Sequence, residues 1–312
     1  TEVIIKEIKK AETLGVSIVT TPELSLTGYT CGDLFLQEQL LDDSIKALEQ
    51  VLNETKDIDI ISILGMPLRH DNQLFNCAAV ITKGKILGVI PKTYIPNYQE
   101  FYEARWFSSS KELITEEIEI LGQLVPITTN ILFQDKTLKE ATFGIEICED
   151  LWTVNPPSNN HALAGATMIF NLSSSNELIG KQEYRKSLVS SQSARTISAY
   201  IYASSGVMES TSDILFGGAS MIYENGSILA ENKRFGLESN IITADIDVLK
   251  LANDRIKNRS FMKNTNLEEY KIIKLDIKDN IKELNREYKE YPFVPSNELE
   301  RNKRCEEIIE IQ

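Results

Sequence analysis

An apolar run, Thr142-Phe-Gly-Ile-Glu-Ile-Cys148, predicts a buried β-strand that ends at a cysteine. Side chains alternate along a strand, so Phe143, Ile145 and Ile147 are expected to be buried, with Cys148 at the rim where the backbone turns. The segment Glu149-Asp-Leu-Trp152 opens that turn. A thiol in this position is suited to act as a nucleophile, although a free cysteine taken alone is more often a small core residue.

Two other predicted strands end at a residue with a reactive side chain. The apolar run Val16-Ser-Ile-Val19 leads into a segment that carries Glu23. The strand-like run Lys85–Ile90 leads through Pro91 to Lys92. A carboxylate, an amine and a thiol therefore each follow a predicted strand.

This recurrence resembles the nitrilase superfamily of carbon–nitrogen hydrolases, whose Glu-Lys-Cys triad appears in the same order as Glu23, Lys92 and Cys148. The resemblance implies an α/β fold, a nitrilase-like four-layer α-β-β-α sandwich. It also implies that Glu100 is the second glutamate of the superfamily, which would hold Lys92 and orient the attacking water.

Longer motifs narrow the resemblance. The segments Pro22–Phe35, Tyr98–Glu103, Cys148–Trp152 and Tyr291–Pro295 are similar to the glutaminase domain and following linker of glutamine-dependent NAD synthetases. This implies L-glutamine as substrate, an ammonia-accepting synthetase domain as partner, and a homo-oligomer. ATP, Mg²⁺ and deamido-NAD are expected only for that synthetase domain, because these residues contain neither a Ser-Gly-Gly-x-Asp-Ser loop nor a Gly-x-x-x-x-Gly-Lys loop. The glutaminase step is expected to need no cofactor and no metal.

The resemblance also implies a set of substrate-binding residues. A glutamine pocket needs groups for an α-ammonium and an α-carboxylate, because apolar contact alone would accept many amides. Arg185 is left open as an alternative to Lys181 for the carboxylate. Without a role in binding, the aromatic residues of this set would be packing residues, and Glu149 would be an acidic residue of a first helical turn. The expected pocket residues are Tyr98, Phe101, Glu149, Trp152, Ser175 and Lys181.

The chemistry of this triad follows from elementary acid–base arguments. A thiol with a pKa of about 8.5 is mostly protonated at neutral pH, so it needs a base, and Glu23 can accept the proton and return it to the leaving ammonia. Lys92 and the backbone amide after Cys148 can stabilise an oxyanion. A Cys-His mechanism is disfavoured, because the chain has only two histidines, His70 and His161.

The remaining pattern sets the domain organisation. Helical periodicity is found in Glu2–Leu14, Leu36–Glu54 and Lys181–Ile197, and tight hairpins are predicted at Lys83–Lys85 and Glu224–Ser227. Short apolar runs predict strands, among them one at Asn240–Asp245. We expect a nitrilase-like glutaminase domain in residues 1–265, without the first strand of that fold, and a linker in residues 266–312 that leads into the synthetase domain.

Composition limits the possible functions. The chain has 312 residues, of which 25% are charged, and a formal net charge of −13, which disfavours nucleic-acid binding. Four cysteines without a C-x-x-C pair indicate neither a disulfide framework nor a zinc site. No membrane-spanning run or signal peptide is evident, so a cytoplasmic location is expected. The alternatives left open are a stand-alone amidase or carbamoylase, and a catalytically weak oligomerisation module.

Overall fold

The computed structural model describes residues 1–261, 269–279, 281, 283–286, 288, 291, 293–295 and 297–312. Its helices are α1 Glu2–Thr13, α2 Glu38–Thr55, α3 Pro157–Ala164, α4 Lys181–Thr196, α5 Val248–Lys257 and α6 Glu298–Ile311. Its strands are β1 Ile18–Thr20, β2 Ile61–His70, β3 Gln73–Thr82, β4 Lys85–Pro91, β5 Asn97–Tyr98, β6 Phe101–Tyr102, β7 Glu117–Ile120, β8 Gln123–Pro126, β9 Ile131–Asp135, β10 Thr142–Ile147, β11 Met168–Ser173, β12 Ala199–Ser204, β13 Met221–Glu224, β14 Ser227–Glu231 and β15 Lys271–Leu275.

Two sheets pack face to face between two layers of helices, which confirms the expected four-layer α-β-β-α sandwich. Helices α1 and α2 cover the sheet of order β1-β2-β3-β4 through one apolar cluster. A second cluster fills the space between that sheet and the sheet of order β14-β13-β12-β11-β10-β9-β15. A third cluster joins the larger sheet to α4. Each element buries its apolar face against a neighbouring layer, as a layered fold requires.

The centre of the larger sheet is parallel. Strands β10, β11 and β12 pair in parallel because α3 and α4 carry the chain back between them. All six residues of β10 are buried, since both faces of this strand are covered. The carboxyl ends of these three strands therefore lie side by side at one edge of the sheet.

Most of the elements expected from the sequence are present. Helices α1, α2 and α4 and both hairpins lie where the periodicity and turn residues place them, with Asn225 and Gly226 in the positive-φ region. The prediction of a strand at Asn240–Asp245 is wrong, because these residues form no ladder with any described strand and run as a loop. An apolar alternating run becomes a strand only where a neighbour offers backbone partners.

The chain divides into two compact units, Thr1–Lys282 and Glu283–Gln312. The boundary expected between residues 265 and 266 lies outside the described residues. Strand β15 falls within the range expected to be a linker, but it pairs in parallel with β9 and extends the larger sheet. The second unit contains α6, whose first turn is capped by the Asn297 side chain. No helix in the described part of the chain is long and apolar enough to cross a bilayer.

Candidate active site

The side chains of Glu23, Lys92 and Cys148 meet near the strand ends that the sequence predicts. Lys92 directly follows β4 and Cys148 directly follows β10, while Glu23 lies shortly after β1. The Lys92 ammonium nitrogen lies 2.6 Å from Glu23 Oε1. The charges of Glu23 and Lys92 both shift the pKa of the Cys148 thiol, so the three groups share one electrostatic environment.

A second carboxylate holds Lys92, and it belongs to Glu103 rather than to Glu100. Lys92 Nζ donates to Glu103 Oε1 at 2.8 Å and to Oε2 at 2.9 Å. Tyr29 donates its hydroxyl proton to Glu103 Oε1 at 2.6 Å. Glu100 instead accepts a hydrogen bond from the Asn176 amide. The expectation that Glu100 holds Lys92 is therefore corrected.

The backbone explains this exchange of roles. Strands β5 and β6 form a two-stranded hairpin, and Glu100 lies in its turn, next to Gln99 with φ +49°. The chain then tightens into a 3₁₀ turn at Glu103–Arg105, where the Glu103 N–H donates to the Pro96 carbonyl. This turn brings Glu103 inward, where it is 2% exposed. The resemblance indicated only Glu100 in this segment, so Glu103 was not predicted.

Close backbone packing fixes the segment that carries Glu23. A Cβ atom on Gly65 of β2 would lie 2.4 Å from the Leu24 nitrogen and 2.6 Å from the Pro22 oxygen. Only glycine allows this approach. On the other side, the Glu23 N–H donates to the Ser173 carbonyl at 3.4 Å. Both sheets therefore set the position of Glu23.

Glu23 has the electrostatic character of a base. Its Oε1 accepts from Lys92 and from Asn76 Nδ2 at 2.7 Å, while Oε2 has no hydrogen-bond partner among the described residues. Burial raises the pKa of Glu23 to about 7, against the opposing effect of Lys92, and the charge of Glu103 adds to the rise. At neutral pH one carboxylate oxygen is available for a proton.

The thiol of Cys148 is buried, not merely at the rim. Cys148 is 5% exposed and begins the 3₁₀ turn Cys148–Trp152 with φ +46°, a strained backbone for a residue with a side chain. Burial and the charge of Glu23 raise its pKa well above the ordinary value, while Lys92 and the backbone N–H of Ser174 oppose the rise. The resting thiol is therefore protonated and needs a base.

Lys92 keeps its charge in this buried setting. Its side chain is fully buried, and burial alone would lower the pKa of its ammonium group. The carboxylates of Glu103 and Glu23 outweigh that effect and raise this pKa well above the usual value. The group is thus a permanent cation that can face a developing oxyanion.

Asp150 ties the two loops of the site together, a role that the sequence analysis did not assign. Its carboxylate accepts from the backbone N–H of Tyr94 at 2.8 Å and of Thr93 at 3.1 Å, just after Lys92. It also accepts from the Ile147 N–H at 2.9 Å, just before Cys148. Burial raises the pKa of Asp150 to about 8. A carboxylate opening a turn after a cysteine is the only sequence signal of this clamp.

Five of the six residues expected to line the pocket lie close to one another. Tyr98 donates its hydroxyl proton to Glu149 Oε2 at 2.9 Å. The ring of Tyr98 lies 6.0 Å from that of Phe101. Lys181 Nζ lies 5.0 Å from the centre of the Trp152 ring. These five side chains form a partly aromatic wall with one carboxylate and one ammonium group.

Ser175 and Arg185 are both buried and are bonded to each other. Arg185 Nη2 donates to Ser175 Oγ at 3.4 Å, and the Arg185 side chain is fully buried. Its guanidinium is also bonded to Glu177, Gln182 and the Asn176 carbonyl. This leaves Lys181 as the partly exposed basic group of the wall, with a pKa that burial lowers.

The two histidines lie in other surroundings. His161 is bonded to the Ile145 carbonyl and the Tyr270 hydroxyl, and burial lowers its pKa to about 4. His70 is bonded to Thr115. Within the described residues, no group of three or more His, Cys, Asp or Glu side chains is arranged to hold a metal ion.

Comparison with known proteins agrees with this geometry. The model of the carbon–nitrogen hydrolase family matches residues 1–255, and the chain belongs to this family. It is 37% identical over 305 residues to the glutamine-dependent NAD(+) synthetase of Mycobacterium tuberculosis, which covers 96% of this chain and 45% of that protein. The Rattus norvegicus protein of that name is 31% identical over 260 residues, covering 81% of this chain and 36% of its own length.

A solved structure extends the likeness to three dimensions. The glutamine-dependent NAD(+) synthetase from Cytophaga hutchinsonii matches with a TM-score of 0.66 and 28% identity, covering 76% of this chain and 38% of its own. The chain thus spans less than half the length of the curated relatives it matches.

Proposed function

We propose that this chain hydrolyses L-glutamine through a γ-glutamyl thioester on Cys148 and supplies ammonia to a synthetase domain that amidates deamido-NAD. The observation that carries the proposal is the buried cluster of Glu23, Lys92 and Glu103 beside the Cys148 thiol. The names and coverage of the relatives support the choice of glutamine and of the synthetase partner.

The first half of the reaction forms the thioester. Glu23 takes the proton of the Cys148 thiol as sulfur attacks the glutamine side-chain carbonyl carbon. The negative charge that develops on the carbonyl oxygen faces the Lys92 ammonium and the backbone N–H that follows Cys148. The carbon–nitrogen bond then breaks, and the Glu23 proton leaves with ammonia.

The second half restores the enzyme. Water attacks the thioester carbonyl and gives its proton to Glu23, the carbon–sulfur bond breaks, and glutamate leaves as the thiol regains its proton. Glu103 keeps Lys92 in place through both halves, which is the positioning role first assigned to Glu100. The steps need no redox partner, since no atom changes its oxidation state.

The wall of the pocket supplies groups of both signs for an amino acid. Lys181 suits the α-carboxylate of glutamine, and Glu149, held by Tyr98, suits the α-ammonium. Phe101 and Trp152 flank the methylene carbons, and the buried Ser175 offers a hydroxyl. We assign the substrate contacts to these residues as part of the proposal.

The cellular setting is also a proposal. The described cysteines Cys31, Cys77, Cys148 and Cys305 are free thiols, which suits the reducing cytoplasm. ATP, Mg²⁺ and deamido-NAD are assigned to the synthetase domain and not to this reaction. The homo-oligomer expected from the sequence stays a prediction.

The test is ammonia release from L-glutamine by the wild-type chain, Cys148→Ala and Cys305→Ala. The exposed Cys305 provides a matched control for loss of a thiol. Release by the wild type and by Cys305→Ala, with none from Cys148→Ala and a thioester mass on the wild type, is expected. Hydrolysis of simple amides without glutamine would identify an amidase instead. An unreactive Cys148, in the chain and when joined to a synthetase domain, would indicate an interaction module.

A further inference from the structure

A chain of hydrogen bonds runs behind Cys148 across three neighbouring strands. The Cys148 backbone N–H donates to Asn171 Oδ1 at 3.3 Å. Asn171 Nδ2 donates to the Tyr200 hydroxyl oxygen at 3.0 Å. The Tyr200 hydroxyl in turn donates to Glu146 Oε1. These three side chains are at most 1% exposed and come from β11, β12 and β10.

The direction of every bond in this chain is determined. A backbone N–H can only donate, so the oxygen of the Asn171 amide must face Cys148 and its NH₂ group must face Tyr200. The Tyr200 oxygen then accepts, and its proton is directed to the Glu146 carboxylate. Glu146 Oε2 accepts the Ser158 backbone N–H at 2.8 Å, which anchors the end of the chain at α3.

This series of hydrogen bonds ends at the backbone N–H of Cys148, a residue with a strained backbone. Cys148 has φ +46°, a strained conformation for a residue with a side chain, and it persists only where the surrounding structure holds it. The Asn171 oxygen also accepts from Ser173 Oγ at 2.6 Å. The backbone N–H of the next residue, Ser174, opposes the rise in the pKa of the thiol. The end of β11 thus holds the nucleophile through its backbone.

We propose that Asn171 is a positioning residue for the Cys148 nucleophile, and that Tyr200 and Glu146 fix the orientation of its amide. Asn171 acts on the thiol through the Cys148 backbone. The activity arm of the test rests on the proposed glutaminase function, whereas the thiol arm does not.

The experiment compares Tyr200→Phe and Asn171→Ser with the wild type and with Tyr223→Phe. Tyr223 is the cross-strand neighbour of Tyr200 and a buried member of the same apolar cluster. It makes none of the hydrogen bonds that link Cys148, Asn171, Tyr200 and Glu146. The thiol readout is the rate at which iodoacetamide alkylates Cys148, followed by peptide mass across pH. Cys77, fully buried in β3, reports in the same sample on general opening of the fold.

We expect Tyr200→Phe to slow Cys148 alkylation roughly tenfold, and Asn171→Ser more, because a displaced nucleophile loses its alignment with the base. Alkylation of Cys77 should not change, and Tyr223→Phe should behave as the wild type. In the activity arm, kcat for glutamine should fall while KM is retained.

Two results would overturn the proposal: wild-type Cys148 alkylation in folded Tyr200→Phe, or a parallel change at Cys148 and Cys77, which would mean general loosening. Tyr200→Phe removes one hydroxyl group, so it decides the matter if Asn171→Ser does not fold. A slower Cys148 reaction in a chain whose wild type releases no ammonia would support the positioning role and reject the glutaminase.

Discussion

Replacing Glu103 with Gln tests the electrostatic logic of the site most directly. In the wild type the fully buried Lys92 has two carboxylate partners. Because the pKa of Glu23 is about 7, that group is only partly ionised at neutral pH, and Glu103 compensates most of the ammonium charge. Glu103→Gln keeps the size of the side chain and one acceptor oxygen but removes its charge.

The expected loss of stability follows from the burial of this ion pair. Removing one partner of a buried pair costs about 3–5 kcal/mol, and the retained amide oxygen places this variant near 3 kcal/mol. A domain with ordinary stability would still fold.

The loss should depend on pH, with a sign that the site determines. Wild-type Glu23, with its pKa raised from 4.5 to about 7, contributes stability below pH 4.5 that is lost as the pH rises through 7. Glu103→Gln removes a charge that raises this pKa, so Glu23 ionises more readily and compensates Lys92 at high pH. A shift of one pKa unit corresponds to about 1.4 kcal/mol. The free energy of unfolding that Glu103→Gln loses should therefore be at least about 1 kcal/mol larger at pH 6 than at pH 8.

Urea unfolding at pH 6 and pH 8 measures this effect, with Glu100→Gln as the matched control. Glu100 lies in the same short segment but does not contact Lys92, and its replacement should change the free energy of unfolding by less than about 0.5 kcal/mol. Equal losses for the two variants, or a loss from Glu103→Gln that is independent of pH, would refute the reasoning.

Three further predictions concern other parts of the site. The kcat/KM for glutamine should fall about tenfold per pH unit below pH 7, because Glu23 must be ionised to accept the thiol proton, and a flat acidic limb would contradict this. Gly65→Ala should lower the free energy of unfolding by about 1–3 kcal/mol and abolish most ammonia release, because the new methyl group meets backbone atoms. The control is Gly88→Ala, whose methyl group meets side chains that can move. Equal shifts in melting temperature for the two variants would contradict this prediction. Asp150→Asn, whose amide nitrogen must face a backbone donor, should lose about 1–3 kcal/mol in urea unfolding, and wild-type stability would show that the clamp is unimportant.

The layered fold could be predicted from the sequence because its information is local. The apolar run of β10 and the helical patterns of α2 and α4 mark these elements, and Asn225-Gly226 marks a turn at its own position. The Asn240–Asp245 run shows the limit of such patterns. Its residues suit a strand, but a strand also needs backbone partners that a local pattern does not specify.

The sequence by itself determined which chemical groups the site contains, because an acid, a lysine and a cysteine each follow a predicted strand and match one catalytic triad in order. Only the tertiary structure decided which glutamate holds Lys92. Glu100 and Glu103 are separated by a hairpin turn and a 3₁₀ turn whose directions depend on packing, and these turns send one carboxylate to Asn176 and the other to the buried ammonium. The clamp of Asp150 and the chain through Asn171 and Tyr200 join residues that are distant in sequence, so their hydrogen bonds exist only once the strands are side by side.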